Sequence, residues 1–157
     1  MATRRPLRIR DSFERWRIDV TAIEISCLCG AVKVRINGEP LVQFYCHCDD
    51  CQAVHGGAYI GVAIYPSQAV AVTQGELVSW TLKSLPRQRC AICGTPMIAR
   101  VLGLGGCGVL AHRLPKGMFK PEFHIQCQHA LLPIKDDLPH FAAFPARFGG
   151  VDDTVEW

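Results

Sequence analysis

The sequence predicts a mainly β domain of short strands joined by tight turns, with few or no long helices. Apolar and polar residues alternate from Val32 to Ile36, which is the period-two pattern of a strand with one buried face. Asn37-Gly38 and Gly75-Glu76 are turn signals that can join neighbouring strands. Long helices are further discouraged in the second half of the chain by prolines at positions 115, 121, 133, 139 and 145.

In chain order, residues 1–20 are predicted to be an arginine-rich extension and residues 21–157 one domain. Asp11 or Ser12 could cap a short helix reaching Val20, and a disordered tail is the equal alternative. A glycine-rich segment, 103–108, is interpreted as a hairpin loop because it lacks the Gly-Lys-Ser/Thr ending of a phosphate-binding loop. The predicted strands are 32–36, 41–45, 59–65, 70–73, 77–82, a segment entering Cys90, 97–102, 109–112 and 123–126.

Cysteine usage indicates metal binding. The chain has nine cysteines, an odd number, and seven of them occur in CxC and CxxC units. This grouping favours metal ligation in a reducing compartment over a disulfide framework. No stretch approaches about 18 consecutive apolar residues, and no apolar run follows the N-terminal arginines, so we expect neither a membrane span nor a signal peptide. A cytoplasmic protein is expected.

The net charge of +3 does not indicate a nucleic-acid partner. Residues 1–20 hold six arginines and three acidic residues, which accounts for the whole excess. The remaining residues carry balanced charge, so no general attraction for nucleic acid is implied.

Two cysteine pairs predict one closed metal site. Cys27 and Cys29 are followed by Gly30, and the pair Cys90 and Cys93 is followed by Gly94. A glycine at this point lets the backbone turn without a Cβ clash. Because zinc favours four tetrahedral ligands and accepts thiolates readily, the two half-sites predict a structural Cys₄ zinc site.

The segment Cys46-His47-Cys48-Asp49-Asp50-Cys51 supplies three ligands for a second zinc ion. In an extended segment Cys46 and Cys48 share one face, and a turn at the two aspartates would bring Cys51 back toward them. Three protein ligands with an open fourth position are typical of catalytic zinc. A centre with three thiolates suits a thiol or thiohemiacetal better than it suits the activation of water.

Two other coordination schemes remain open for this segment. His55 follows Cys51 by four residues and could close the site as Cys₃His, which would make it purely structural. Completion of the trio by Cys90 or Cys93 is less favoured because it would leave a broken half-site behind.

The order and spacing of these cysteines, together with Gly94-Thr95-Pro96 and Pro121-x-x-His124-Ile125, resemble the glutathione-dependent formaldehyde-activating enzymes, or CENP-V/GFA domain family. The resemblance covers roughly residues 22–135. It implies a β-tent fold of short antiparallel strands with zinc knuckles and two Zn²⁺ ions per chain. The structural zinc is implied on Cys27, Cys29, Cys90 and Cys93, and the catalytic zinc on Cys46, Cys48 and Cys51.

The activity implied by the resemblance is that of an S-(hydroxymethyl)glutathione synthase, a carbon-sulfur lyase that joins formaldehyde to glutathione. The implied partners are a small aldehyde and a thiol such as glutathione. Gln52, His55 and Arg89 stand where family members often have an arginine, a small residue and an aromatic residue. The alternative function is a non-catalytic structural zinc module that binds a protein or nucleic-acid partner.

Several other residues are assigned roles in packing. His47 alternates with two ligand cysteines and should point away from the metal, and His124 is expected to be a buried, hydrogen-bonded structural histidine. Asp49 and Asp50 are interpreted as solvated turn residues. Cys107 and Cys127 have no partner at ligand spacing and are expected to be unbonded. Core packing or a homodimer contact is expected for the stripe Phe141, Phe144 and Phe148.

Overall fold

A computed structural model describes residues 22–157 except Leu102 and Leu104. The arginine-rich extension, with its alternative of a short helix, lies outside the described residues. The prediction of a mainly β fold is confirmed: the described residues form ten strands and one α-helix. The strands are β1 (Ile23–Ser26), β2 (Lys33–Ile36), β3 (Val42–Cys46), β4 (Ile60–Pro66), β5 (Val70–Gln74), β6 (Leu77–Leu82), β7 (Leu85–Cys90), β8 (Pro96–Val101), β9 (Gly106–Leu110) and β10 (Phe123–Ile125), and the helix is α1 (Asp49–His55).

The strands form two sheets. β1, β2 and β5 make a three-stranded antiparallel sheet in the order β1-β2-β5. The other seven strands form a sheet in the order β10-β3-β4-β9-β8-β7-β6. Neighbours in this larger sheet are antiparallel except β10 and β3, which run parallel. Helix α1 follows β3 directly, so the end of β3 and the start of α1 lie in one continuous segment.

The core has two parts. The larger cluster contains β2 residues such as Val34 and Ile36 and larger-sheet residues such as Tyr65 and Met97, so it packs the two sheets together. The smaller cluster contains Phe123 of β10 and residues of β3 and β4, including Cys46. Cys48 and Cys51 pack against it. Cys27 and Cys90 belong to the larger cluster. Each part of the core therefore supports one of the two cysteine groups.

The prediction of a turn at Asp49-Asp50 is wrong, because both residues lie in the first turn of α1. Cys48 is the N-cap of this helix, and its sulfur accepts a hydrogen bond from the backbone N–H of Cys51 at 3.3 Å. Acidic residues in the first turn complement the positive end of the helix dipole. The helix ends at Gly56, whose φ of 66° is the left-handed conformation that glycine adopts readily.

Two further predictions in the second half of the chain need correction. The loop predicted over 103–108 is wrong for its last three residues, because β9 begins at Gly106 and is buried along its whole length. Gly108 lies between β4 and β8, where a Cβ atom would make ordinary van der Waals contact with the side chain of Ile64 at 3.4 Å. The strand predicted over 109–112 ends early, because Ala111–Arg113 forms a 3₁₀ turn.

The phenylalanine stripe does not lie on a helix, since only Ala146–Phe148 is helical there, as a short 3₁₀ turn. Phe141 and Phe148 contact the ring of Phe123 at centroid distances of 5.6 and 6.1 Å, so these two residues pack in the smaller core cluster. A homodimer contact at this stripe stays a prediction. In the described part of the chain, no helix combines the length and apolar character that a membrane crossing requires.

Candidate metal centres and adjoining cavity

Four cysteine side chains converge where β1 ends and β7 ends. The sulfur atoms of Cys27, Cys29, Cys90 and Cys93 all lie within 4.8 Å of one another. Cys27 Sγ is 3.4 Å from Cys29 Sγ, and Cys29 Sγ is 3.8 Å from Cys90 Sγ. The two pairs are more than 60 positions apart in sequence, so a shared ion would tie together the two sheets.

Each pair sits in a tight backbone turn that aims N–H groups at sulfur. Gly30 and Gly94, with φ of 75° and 70°, adopt the left-handed conformation expected of the glycine after each pair. The N–H of Val32 donates to Cys27 Sγ at 3.2 Å, and the N–H of Ile92 donates to Cys90 Sγ at 3.4 Å. Such donors stabilise thiolate, the form of cysteine that binds metal.

The second cluster lies at the junction of β3 and α1. The sulfur atoms of Cys46, Cys48 and Cys51 lie within 4.8 Å of one another. Cys46 ends β3 and is buried, whereas Cys48 and Cys51 are half-buried in the N-cap and first turn of α1. The first turn of α1, and not an isolated turn, places the sulfur of Cys51 beside those of Cys46 and Cys48.

Hydrogen bonding among the three sulfur atoms separates their pKa values. Hydrogen bonds from Cys46 and Cys51, helped by backbone N–H groups of the first turn, lower the pKa of the Cys48 thiol to about 2. Hydrogen bonds with Cys48 and Cys51 raise the pKa of Cys46 well above its usual range. A thiolate at Cys48 would lie at the N-terminus of α1, where the helix dipole favours negative charge.

His55 lies at the other end of α1 and does not belong to the group of three converging ligand atoms. Its ring lines the same cavity as the three cysteines, and burial together with the nearby Arg87 charge lowers its pKa. Its role as a fourth ligand stays a prediction.

Gln52 fixes α1 against its surroundings. Its Nε2 donates hydrogen bonds to the backbone oxygens of His47, at 2.6 Å, and His129, at 2.9 Å. Gln52 therefore joins α1 to the segment of His47 and to the segment of His129.

A chain of polar contacts runs from the buried residues behind the three-cysteine cluster to the surface at Asp136. His47 is only 1% exposed and does not belong to the cluster, as the alternation of side chains in this segment predicts. Its Nε2 lies 2.9 Å from Nδ1 of His124, and Nε2 of His124 lies 3.0 Å from Oδ2 of Asp136. Asp136 Oδ1 lies 3.2 Å from Nε2 of His140. His124 is fully buried and hydrogen-bonded, as predicted, and its structural role stays a prediction.

A cavity of about 590 Å³ adjoins the three-cysteine cluster. Cys46, Cys48 and Cys51 form part of its wall, and most of the remaining wall is apolar. The apolar wall includes Phe44, Val62, Ile64, Met97, Leu110 and Phe144. The cavity can enclose a small organic molecule beside the three sulfur atoms.

The β6–β7 hairpin bounds one side of this cavity. Lys83, in the hairpin turn, lies 2.7 Å from Asp50 Oδ1 and 3.3 Å from Asp49 Oδ2. These ion pairs join the hairpin to the first turn of α1. Helix α1 follows β3, and four strands of the larger sheet lie between β3 and β6. Arg87 of β7 also lines the cavity and is 5% exposed.

The donor chemistry of both cysteine clusters fits a soft or borderline metal ion. Thiolate sulfur is a poor ligand for hard cations such as magnesium and calcium, and groups of three or four thiolates are typical of zinc and of other thiophilic metals. Each cluster could therefore hold one metal ion.

The fold and the site define a mainly β domain with two cysteine clusters able to bind metal, one of them at the wall of a cavity. The chain belongs to the family described as glutathione-dependent formaldehyde-activating enzyme, whose family model matches residues 22–129. A crystal structure of a Rhodobacter sphaeroides protein has a similar fold, with a TM-score of 0.51 and 19% sequence identity, covering 60% of this chain and 89% of that chain. No curated protein matches the chain.

Sequence reasoning missed the long-range members of the site. Asp136 and Arg87 were not singled out, because nothing in their local sequence marks the partner that each meets in the fold. Helix α1 did carry a signal, since an acidic pair begins it and Gly56-Gly57 ends it.

Proposed function

We propose that the chain is a zinc-dependent carbon-sulfur lyase that resembles S-(hydroxymethyl)glutathione synthase and acts on a small aldehyde and a thiol such as glutathione. The observation that carries this proposal is the convergence of Cys46, Cys48 and Cys51 at the wall of a cavity. Membership of the family supports the same reaction class.

We assign different roles to the two cysteine clusters. Cys27, Cys29, Cys90 and Cys93 can fill all four positions of a tetrahedral zinc ion, so this site is structural. Cys46, Cys48 and Cys51 fill three positions of a second ion, which leaves one position for substrate. Zinc at that site would hold a substrate thiol as thiolate and polarise a carbonyl group beside it.

The reaction proposed is the addition of a thiol to an aldehyde, or its reverse. A bond forms between the thiol sulfur and the carbonyl carbon, the carbon-oxygen double bond becomes a single bond, and the thiol proton ends on the new hydroxyl group. No oxidant or reductant is consumed. The product is a hemithioacetal, which in the case of formaldehyde and glutathione is S-(hydroxymethyl)glutathione.

The chain contributes to this reaction by positioning. Side chains of β3, β4, β8 and β9 would give the bound reactants an apolar wall on one side. Gln52 and the His47–His124 contact hold the cysteine segment from two sides. Holding both reactants at one site makes the addition effectively intramolecular.

The proposal is tested by exchange NMR with isotopically labelled formaldehyde and glutathione. Their adduct forms spontaneously, so the measured quantity is the exchange rate between free and bound formaldehyde. The zinc-loaded protein should raise this rate in proportion to its concentration, and Cys48→Ala should not. A fully zinc-loaded protein that leaves the rate unchanged would contradict the lyase function for this substrate pair.

His55 separates the lyase from the non-catalytic alternative. If its ring completes a Cys₃His site, the fourth position is closed and a structural zinc module becomes the better description. Its absence from the group of converging ligand atoms supports the open site.

A further inference from the structure

Arg87 is a buried cation in the wall of the cavity. It lies on β7, its side chain is 5% exposed, and it lines the same cavity as the cysteine cluster. A register shift between Gln88 and Arg89 interrupts the pairing of β7 with β8. As a result Arg89, two positions further on, is exposed and stacks over the ring of Trp80 at 4.5 Å.

No carboxylate pairs with Arg87 in the described part of the chain, and the acidic side chain that its charge reaches is the thiol of Cys51 in the same cavity wall. Its Nη1 donates to the backbone oxygens of Leu82 at 3.4 Å and Leu85 at 3.2 Å, both neutral acceptors. Among residues 22–157, apart from Leu102 and Leu104, no carboxylate lies within 4.0 Å of its guanidinium. By contrast, Lys83 at the cavity rim is paired with two aspartates.

A buried guanidinium without a counter-charge is costly. Burial of an ionised group is compensated only by an opposite charge with good hydrogen bonds, and guanidinium remains charged at any ordinary pH. Two carbonyl contacts made by a single nitrogen use at most two of the five N–H donors that arginine presents. An anion that enters the cavity would give the remaining N–H donors of Arg87 a charged acceptor.

We propose that Arg87 binds a carboxylate of the substrate, so that the preferred thiol is one that carries a carboxylate group. This inference rests on the proposed function and adds to it the feature of the thiol that the site recognises. The planar fork of guanidinium matches a carboxylate in two parallel hydrogen bonds. The thiol end of the same molecule would reach the cluster of Cys46, Cys48 and Cys51, which shares the cavity.

The test compares two thiols that differ only in charge, 3-mercaptopropionate and its methyl ester. Their binding to the zinc-loaded protein is followed by calorimetry. The acid should bind about 10- to 100-fold more tightly than the ester, the range expected for a charge-assisted hydrogen-bonded pair. Arg87→Gln should bind the two thiols with similar affinity.

Arg89→Gln is the matched control, because it removes one arginine charge from the same strand outside the cavity wall. It should keep the wild-type preference for the acid. The zinc content and circular dichroism of each variant establish whether it is folded. Should Arg87→Gln not fold, equal affinities of the wild-type protein for the acid and the ester would still overturn the proposal.

The outcomes for this inference and for the proposed function differ. Equal binding of acid and ester by the wild type, or an unchanged preference in Arg87→Gln, would overturn the role of Arg87 and leave the lyase proposal standing.

Propionate and propionamide, which lack a thiol, are measured alongside. If neither thiol reaches the zinc but propionate binds more tightly than propionamide in an Arg87-dependent way, the carboxylate site stands and the thiol lyase fails. Failure of every carboxylate probe to bind would overturn the inference.

Discussion

Nε2 of His47 lies 2.9 Å from Nδ1 of His124, although 77 positions separate the two residues in the sequence. His47 stands between Cys46 and Cys48, and His124 lies on β10, which pairs with β3 in parallel. Asp136 accepts from the other side of the His124 ring at 3.0 Å. The segment that carries the cysteine cluster is therefore anchored from behind by two buried histidines and a surface aspartate, while its sulfur atoms face the cavity.

Acidification should weaken the fold through this network. Burial, together with nearby His124 and His140, lowers the pKa of His47 to about 4. The pKa of histidine in an unfolded chain is about 6.5. Between these values the unfolded chain binds more protons, so the free energy of unfolding falls as the pH drops. The slope is up to about 1.4 kcal/mol per pH unit for this histidine.

Chemical denaturation between pH 7 and pH 4.5 tests this expectation, with metal content measured at each pH so that metal loss is recognised. His47→Gln removes the titrating group and should give a shallower dependence of unfolding free energy on pH. Equal slopes for the two proteins would show that His47 does not resist protonation in the fold.

Cys93→Ala should remove one metal ion and destabilise the whole domain. The four sulfur atoms join segments of both sheets, and the binding free energy of a structural zinc ion contributes directly to folding. We expect a loss of more than about 4 kcal/mol in unfolding free energy, at the upper end for single substitutions. Denaturation monitored by circular dichroism, with metal analysis, measures both effects. A variant that keeps wild-type stability after losing this ion would contradict the structural role.

Cys48→Ala should remove one metal ion and leave a folded protein. The residue lies at the N-cap of α1, so the loss of its capping contact should cost about 1 kcal/mol in addition to any contribution of the metal. Metal analysis should give one equivalent in place of two, and the exchange activity should disappear. Cys127→Ala is the matched control, because it removes a buried cysteine that lies outside both clusters. Activity that persists in Cys48→Ala without the central metal would refute the assignment of this site.

The parts of the structure that sequence could predict are those with short-range signals. Alternation from Val32 to Ile36 and the turn residues around it identify strands, because the side chains concerned are neighbours along the chain. The spacing of the cysteines indicates the two clusters for the same reason, and the structure brings together the sulfur atoms of each.

The remaining features depend on contacts that spacing does not encode. α1 was missed because a cysteine, which is not a preferred N-cap residue, takes that position in the segment. Gly106 and Gly108 suggest a loop, yet both lie in β9, which pairs with β4 on one side and with β8 on the other. The burial of Arg87 follows from the strand register beside a bulge, and its neighbour Arg89 has the same side chain and a different environment.

The central claim is that a substrate thiol takes the fourth position at the cluster of Cys46, Cys48 and Cys51. X-ray absorption at the zinc edge of the fully loaded protein, recorded during a glutathione titration, measures this directly, with His55→Ala run in parallel. The predicted result is saturable binding that adds one sulfur ligand to the central zinc, in the wild type and in His55→Ala alike. No added sulfur, together with a nitrogen ligand that is lost only in His55→Ala, would contradict the claim and identify a closed structural site.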